Sequence, residues 1–493
     1  MRLSDFQWSR NPRGLHIQRI LITPVDFERW TRPRMGWVKL IASELEYVDD
    51  SQRFLELNIT PVLRPYRGEW GARPMDAAMR DQIIAYANAG VKWFEFYNEP
   101  NLGVEWPNGF DPDWRDFDNV IRPLADNWLV FAEFVISLGG YPGFISLAES
   151  VHPRYASVAW TDALLNYYAE YRYQRFQNVL ANGAYAATHP YILNHFYQEV
   201  AGGGPRSARP PEAQNAREGG WHFEYPYDPI SQANDSGRTV YGGTALTPEG
   251  DPNGLLAMGI MMNERCADLF GTQAIPVLGT EGGIWPYRDG SRWQQDNRFP
   301  PYTEESQAHA TVAMFEWIAN EAPPWFFGLT LWKEDDYYFN GTNSPAINLL
   351  AATPPIFKSV PSIPVMGNGY VGFGAEPQEP EVAPGPGPIQ GQADYHMIVL
   401  APGLELDWFF ETAQAYWNTF RPMVATRTSL IEIIPPDTSL ATTVIARPDQ
   451  IAMMISGIQE RYRNVWFDLV IADSQDNVRQ ILNERVRINR RFG

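Results

Sequence analysis

The stretch "PMDAAMRDQIIAYANAGVKWFEFYNEP" (residues 74–100) reads as a helix followed by a strand. Residues 74–90 carry a helical pattern, and Gly90 stands where the residue after a helix C-cap stands. Residues 91–97 then form an apolar, aromatic run suited to a buried strand. The run ends on Asn98, Glu99 and Pro100, an amide and a carboxylate side by side with a proline to lock the turn. Core packing does not require that ending, whereas a catalytic acid does.

Outward from this unit the same alternation recurs. Strands are expected at 14–18, 36–41, 59–66, 91–100, 143–149, 184–191, 274–283 and 325–336. Helical patterns at 49–58, 74–90, 162–183, 253–271 and 304–323 separate them, and the run 19–35 after the first strand makes a poor helix. Strands that are nearly continuous apolar runs are buried on both faces, as parallel strands are. Eight such units predict the α/β class and a (β/α)₈ TIM barrel over residues 1–373. A doubly wound open sheet competes, but no Gly-rich phosphate loop follows any strand.

Residues 198–251 form an insertion in this barrel. Its "AGGGPRSARPPEAQNAREGG" (201–220) is expected to be mobile and its "FEYPYDP" (223–229) ordered. It is expected on the face where strands end, as a lid or subsite wall. The Pro/Gly-rich segment 374–394 reads as a linker. Residues 395–493 read β-α-β-β-α-β-α, with strands at 395–402, 430–435, 442–446 and 466–473, a small C-terminal α/β accessory domain. It carries no acid/base pair, and no internal repeat is evident along the chain.

Acidic residues outnumber basic ones, 58 against 39, for a formal charge of −19. That sign repels phosphate backbones and anionic lipid, so neither nucleic acid nor membrane is an expected partner. There is no run of about 18 apolar residues for a membrane span. The start "MRLSDFQWSRNPRG" has no apolar segment of a signal peptide, so a cytoplasmic location is the default expectation. A secreted one would hold if a signal had been removed. The single cysteine, Cys266, allows no intrachain disulfide. The 18 tryptophans suit either a large core or the lining of carbohydrate pockets.

A lone carboxylate is weak ground for chemistry, so Glu99 needs a partner. "PVLGTEGG" (276–283) places Glu281 at the end of the seventh strand, and the two following glycines would let the backbone pass close to a ligand. Functional groups of a (β/α)₈ barrel gather at the C-terminal ends of its strands, so Glu99 and Glu281 can meet in one mouth. The histidines show no H-E-x-x-H spacing, and no catalytic metal or other cofactor is expected. "DPDWRDFDN" (111–119) lacks the glycine and closing glutamate of a calcium loop and reads as a capped helix start. Glu149, ending the fifth strand, is a rim contact or a structural acid.

The order of these residues resembles the retaining glycoside hydrolases of clan A, the 4/7 superfamily of barrels, and is similar to families 5 and 39. The resemblance implies Glu99 as acid/base, after Asn98, and Glu281 as nucleophile. It also implies His189 and Tyr191 ("HPY") at the end of strand six, with His195 and Tyr197 ("HFY") as the alternative pair. Trp332 would floor the sugar site and precede a cis peptide bond. Many clan members carry an arginine near the end of strand two; here that strand offers only Lys39, and either Arg64 on strand three is the substitute, with the strand count shifted, or the role is filled differently. The implied activity is cleavage of β-glycosidic bonds of oligo- or polysaccharides by double displacement. Retention needs the carboxyl groups about 5–5.5 Å apart, and at that spacing an ionised Glu281 favours keeping the proton on Glu99. Asn98 would bond the sugar 2-OH. A non-catalytic carbohydrate-binding protein on the same barrel, or a transglycosylase, are the competing readings.

Overall fold

The structure is a computed structural model. It describes residues 1–17, 21, 23–193, 195–200, 207–224, 228–285, 296–338, 342–367, 393–434, 440–451, 453–454, 458 and 465–492. The chain divides into two compact units, Met1–Gly374 and Ala375–Gly493.

In the first unit eight parallel strands close into a barrel. They are β1 (Arg13–His16), β2 (Trp37–Ala42), β3 (Thr60–Pro65), β4 (Trp93–Phe94), β5 (Tyr141–Phe144), β6 (Tyr185–Thr188), β7 (Val277–Gly279) and β8 (Phe326–Leu331). Each pairs with its sequence neighbours, and β1 closes the ring on β8 through Gly14 opposite Thr330. The fold is the (β/α)₈ barrel that the alternation predicts.

The longer helices, of nine residues or more, are α1 (Val48–Glu56), α2 (Ala77–Asn88), α3 (Arg122–Ser137), α4 (Ser157–Tyr171), α5 (Tyr173–Ala181), α6 (Ala257–Phe270) and α7 (Glu304–Asn320). Helix α2 shows how the local code works. The Asp76 side chain accepts from the Met79 N–H at 2.6 Å and caps the start. Met79, Ile83 and Tyr86 bury one face at helical spacing. Gly90 follows the end with φ +99°, which a side chain rarely adopts. The run expected as one helix over 162–183 is instead two, α4 and α5, broken at Arg172. There the guanidinium grips Asp126 through Nε at 2.8 Å and Nη2 at 2.9 Å. Between β1 and β2 the poor helix is a 3₁₀ turn, Pro24–Phe27, and one helical turn, Glu28–Thr31. Asp116 caps the helical turn Phe117–Ile121 that runs into α3, in the segment that mimics a calcium loop.

The strands' two-residue period sorts the barrel interior into layers. Trp37 and Trp93 lie toward the strand starts and pack edge to face at 5.0 Å. Trp8, from the segment before β1, stacks on Trp37 and Phe327 at 5.2 and 5.0 Å and plugs that end. Five tryptophans, Trp30, Trp37, Trp93, Trp128 and Trp160, are fully buried, so these serve the core and not a ligand. Two residues further along β2 and β4 stand Lys39 and Glu95, in direct buried contact. The barrel is therefore apolar below and charged above.

The insertion is tied down at its base. The Gln198 side-chain amide donates to the carbonyls of Asn215, Glu218 and Gly219 at 2.9–3.1 Å. Ala216 N–H donates to His309 of α7 at 3.0 Å. Residues 201–206 and 225–227, and residues 374–392 of the expected linker, lie outside the described residues.

The second unit is a parallel four-stranded sheet of β9 (Tyr395–Leu400), β10 (Met423–Ala425), β11 (Leu440–Ala446) and β12 (Val465–Ile471), in the order β10-β9-β11-β12. Helices α8 (Leu406–Phe420) and α9 (Gln475–Arg487) pack against each other. The segment expected as a strand at 430–435 is not one: Thr428–Ile433 forms a 3₁₀ turn, and β10 comes directly after α8. A short apolar run predicts a strand here, and periodicity alone does not separate a short strand from a turn. The helix expected at 448–463 lies only partly within the described residues. Among the described residues no helix is long and apolar enough to cross a membrane.

Candidate active site

After Phe94 the β4 chain leaves regular pairing but stays laced to β5. Asn98 bridges Ser146 in parallel fashion, and Glu99 N–H donates to the Ser146 carbonyl at 3.0 Å. Asn101 then holds Ala148 at both ends, accepting its N–H at 3.0 Å and donating to its carbonyl at 2.9 Å. These bonds fix Glu99 in the barrel mouth with φ +38°, a left-handed conformation that costs an ordinary residue about 1–2 kcal/mol.

Glu281 arrives from the β7 exit. Thr280 N–H donates to the Thr188 carbonyl at 2.8 Å, and pairing with the β6 exit resumes at Gly283 opposite Tyr191. The two glycines were expected to admit a ligand. At Gly282 the structure shows a further reason: a Cβ there would come within 2.4 Å of the Pro190 carbonyl oxygen, so the glycine serves the close approach of the β6 and β7 exits.

The two carboxylates meet across His189. Its Nδ1 lies 2.8 Å from Glu99 Oε1 and 3.9 Å from Glu281 Oε2. The three contributing atoms all fall within 4.8 Å of one another. Tyr191 donates its hydroxyl to Glu281 Oε2 at 3.2 Å. Arg64, on β3, reaches Glu281 Oε1 at 2.8 Å and donates to the Asn98 amide oxygen at 2.5 Å. Asn98 passes the contact on, its Nδ2 donating to Glu105 Oε1 at 2.6 Å. His189 is fully buried and Glu281 is 3% exposed. Burial alone would raise the Glu281 pKa. The positive fields of His189, Arg64 and Lys39 outweigh it and hold this carboxyl well below the usual range. Burial, with the Glu281 and Glu99 charges, pushes the Tyr191 phenol far up, so it remains a donor.

Trp332 follows β8, half-exposed, and its peptide bond to Lys333 is cis. Its ring meets His16 edge-on at 4.4 Å. His16, at the end of β1, is fully buried with neither ring nitrogen hydrogen-bonded, and burial pushes its pKa down to about 3. Burial also brings Lys39 down to about 8 against the pull of Glu95. His16, Glu95 and Glu105 were not singled out from sequence. A lone polar residue in an apolar strand, as in "GLHIQ" and "WFEFY", is the signal that marks the first two.

The alternative pair, His195 and Tyr197, goes elsewhere. His195 bridges Glu224 at 2.6 Å and Asp296 at 3.0 Å and stacks on Phe299. Glu224 and Asp251, from the insertion, act with Glu99 on Glu149, whose carboxyl is raised well above its ordinary pKa by burial first and by these acids second. Trp106 is buried with its indole N–H on the Pro100 carbonyl, so it braces the loop after Glu99. Trp285 packs against Tyr191 at 5.7 Å.

Glu99, His189 and Glu281 are, among the described residues, the one group spaced to hold a metal ion. Arg64 already neutralises Glu281 at contact distance, with Lys39 behind it, so the donor set fits a proton shared with a substrate better than a cation.

No protein-family model matches the chain, and no curated protein is significantly similar to it. Among solved structures, a curdlan-specific GH128 (subgroup III) exo-β-1,3-glucanase from Blastomyces gilchristii, in complex with glucose, aligns at TM-score 0.37 and 12% identity. That alignment covers 70% of this chain and 99% of that one. D-psicose 3-epimerase from Clostridium cellulolyticum H10, with D-tagatose, aligns at TM-score 0.28 and 10% identity over 62% and 96% of the two chains. Similarity at that level leaves the site to be read from its own geometry.

Proposed function

We propose that the barrel is a retaining glycoside hydrolase that cleaves β-glycosidic bonds of oligo- or polysaccharides, with Glu281 as nucleophile and Glu99 as acid/base. The observation that carries this reading is the spacing of the two carboxylates, one oxygen of each within 4.8 Å. Inverting enzymes need about 6.5–9.5 Å to fit a water between the groups, and retaining ones about 5–5.5 Å.

The environments of the two acids divide the roles. Glu281 is buried, bonded by Arg64 and Tyr191, and held ionised. Glu99 is the more open of the two, and among the described residues its side chain hydrogen-bonds only to His189. In the first step a Glu281 oxygen attacks the anomeric carbon. The glycosidic C–O bond breaks, its electron pair stays on the leaving oxygen, and that oxygen takes the Glu99 proton. Water then attacks the same carbon, Glu99 takes its proton, and the ester to Glu281 breaks. His189 aims the Glu99 carboxyl. Asn98, itself held by Arg64 and Glu105, is placed to bond the sugar 2-OH, a contact that strengthens in the transition state. Trp332 offers an apolar face to the ring.

Trapping with a 2-fluoro glycoside tests the reading. A covalent adduct on Glu281, found by peptide mass spectrometry and absent in Glu281→Gln, supports it. Binding of sugars with no adduct and no hydrolysis across a panel of aryl β-glycosides and polysaccharides would instead mark a carbohydrate-binding protein. Product analysis with an added sugar acceptor separates a transglycosylase.

A further inference from the structure

Beside the carboxylate cluster, the exits of β3 and β4 enclose a cleft that the mechanism leaves unused. It is lined by Tyr66, Arg67, Trp70, Tyr97, Asn98 and Glu105, with Arg64 at its inner end. We infer that this cleft is a second sugar-binding subsite, taking a neutral pyranose joined to the one held between Glu99 and Glu281. The inference rests on the glycoside hydrolase reading of that pair.

Four observations carry it. The first is continuity. Arg64 and Asn98 border the cleft and also belong to the cluster, Arg64 through Glu281 and Asn98 through Arg64. A ligand in the cleft therefore adjoins the reacting ring.

The second is unmet hydrogen bonding. Arg64 Nε and Trp70 Nε1 are shielded from solvent and have no partner, although Arg64 is only 3% exposed. Buried donors are nearly always satisfied in native proteins, so two at one cleft call for an acceptor that arrives from outside. Glu105 supplies the complement. One of its oxygens accepts from Asn98, and a carboxylate oxygen is the acceptor to which a sugar hydroxyl donates.

The third is shape. Tyr66 is 47% exposed, and Trp70 is half-buried across the same cleft. Aromatic faces beside a few fixed polar groups suit a ring with one apolar side and hydroxyls on its edge. Arg64 and Arg67 discourage a cation, and Glu105 discourages an anion.

The fourth is rigidity. Gly71 N–H donates to the Glu105 carbonyl at 2.8 Å, tying the Trp70 loop to the Glu105 turn. Gly71 lies so close to Trp106 that a Cβ would come within 2.8 Å of its ring, and Tyr97 donates its hydroxyl to the Arg73 carbonyl at 2.8 Å. The walls are set before any ligand enters, which spares the ordering cost of binding.

The test compares two substrates of one sugar on the full chain: the aryl glycoside of the single unit, and the di- to tetrasaccharides. In Trp70→Ala and Tyr66→Ala the ratio of kcat/KM for oligosaccharide over aryl glycoside falls by about 10-fold, the scale of a lost aromatic contact. Trp70→Phe, which keeps a ring but removes the N–H, gives a smaller fall in the same ratio and guards against a variant that fails to fold. An unchanged ratio, or equal losses on both substrates, overturns the subsite and leaves the hydrolase reading standing. Failure of the wild type to cleave any glycoside sinks that reading and this one together.

Discussion

Replacing Arg64 with methionine probes the electrostatics of the site most directly. The guanidinium sits 2.8 Å from Glu281, 2.5 Å from the Asn98 amide oxygen and 4.0 Å from Glu95, at 4% side-chain exposure. Removing one member of a buried pair costs about 3–5 kcal/mol, because the partner charge is left behind. Glu281 also loses its ion pair at 2.8 Å, so its titration moves up toward the ordinary carboxylate range. The sign follows from linkage. The folded pKa of Glu281 is depressed. Its contribution to stability is therefore present above its unfolded value, about 4.3, and is lost as pH falls through the folded one. The variant is thus weaker than wild type at neutral pH, and the gap narrows in acid. The assay is kcat/KM against pH on an activated aryl glycoside, beside thermal melts at neutral and mildly acid pH. The acid limb of the variant climbs toward neutrality, and Arg64→Lys, a point charge without the fork, recovers only part. An acid limb that stays put while the rate falls would refute the claim that Arg64 holds Glu281 ionised.

Three further outcomes are expected. Glu99→Gln slows glycosides with poor leaving groups by about 10²–10⁴-fold, the scale of general acid catalysis, and spares the first step for leaving groups that need no proton, as burst kinetics show. Glu149→Gln is more stable at neutral pH by about 1–3 kcal/mol, because both carboxyl oxygens are buried without a hydrogen bond; the raised pKa makes the wild type lose stability as pH rises, so the advantage shrinks in acid. Lys39→Met and Glu95→Gln each cost about 3–5 kcal/mol alone, and the double variant costs less than their sum in denaturant melts, since only the single changes leave one of the two charges buried without the other.

The barrel was legible because parallel strands buried on both faces are written as unbroken apolar runs, and all eight fell near their expected places. The neighbourhood of Glu99, His189 and Glu281 was legible because strand ends announce themselves by a switch from bulky apolar residues to polar ones. The contact of Arg64 with Glu281 is likewise where the substitution of strand three for strand two put it. The polar layer below was harder to see. Lys39, Glu95 and His16 are single letters inside apolar runs, and their partners lie tens of residues away, so only the closed barrel makes their charges pairwise. The close approach at Gly282 was hidden for a similar reason: from sequence a glycine beside a glutamate suggests a ligand, while the backbone it also yields to, at Pro190, comes from another strand. In the second unit β10 was displaced because a three-residue strand carries too few positions for a period to show.

Lys39, Glu95, Arg64 and Glu281 stand in a file of alternating sign inside a nearly dry barrel. At rest the file is neutral. Esterification of Glu281 would delete its last anion and leave a surplus cation with no solvent at hand to answer it. The glycosyl-enzyme would then be the lopsided state, and the same neighbours that keep the free carboxylate content would press for its return. Variants that let this intermediate linger, and so hand sugar to acceptors other than water, are to be sought in the file and not at the rim.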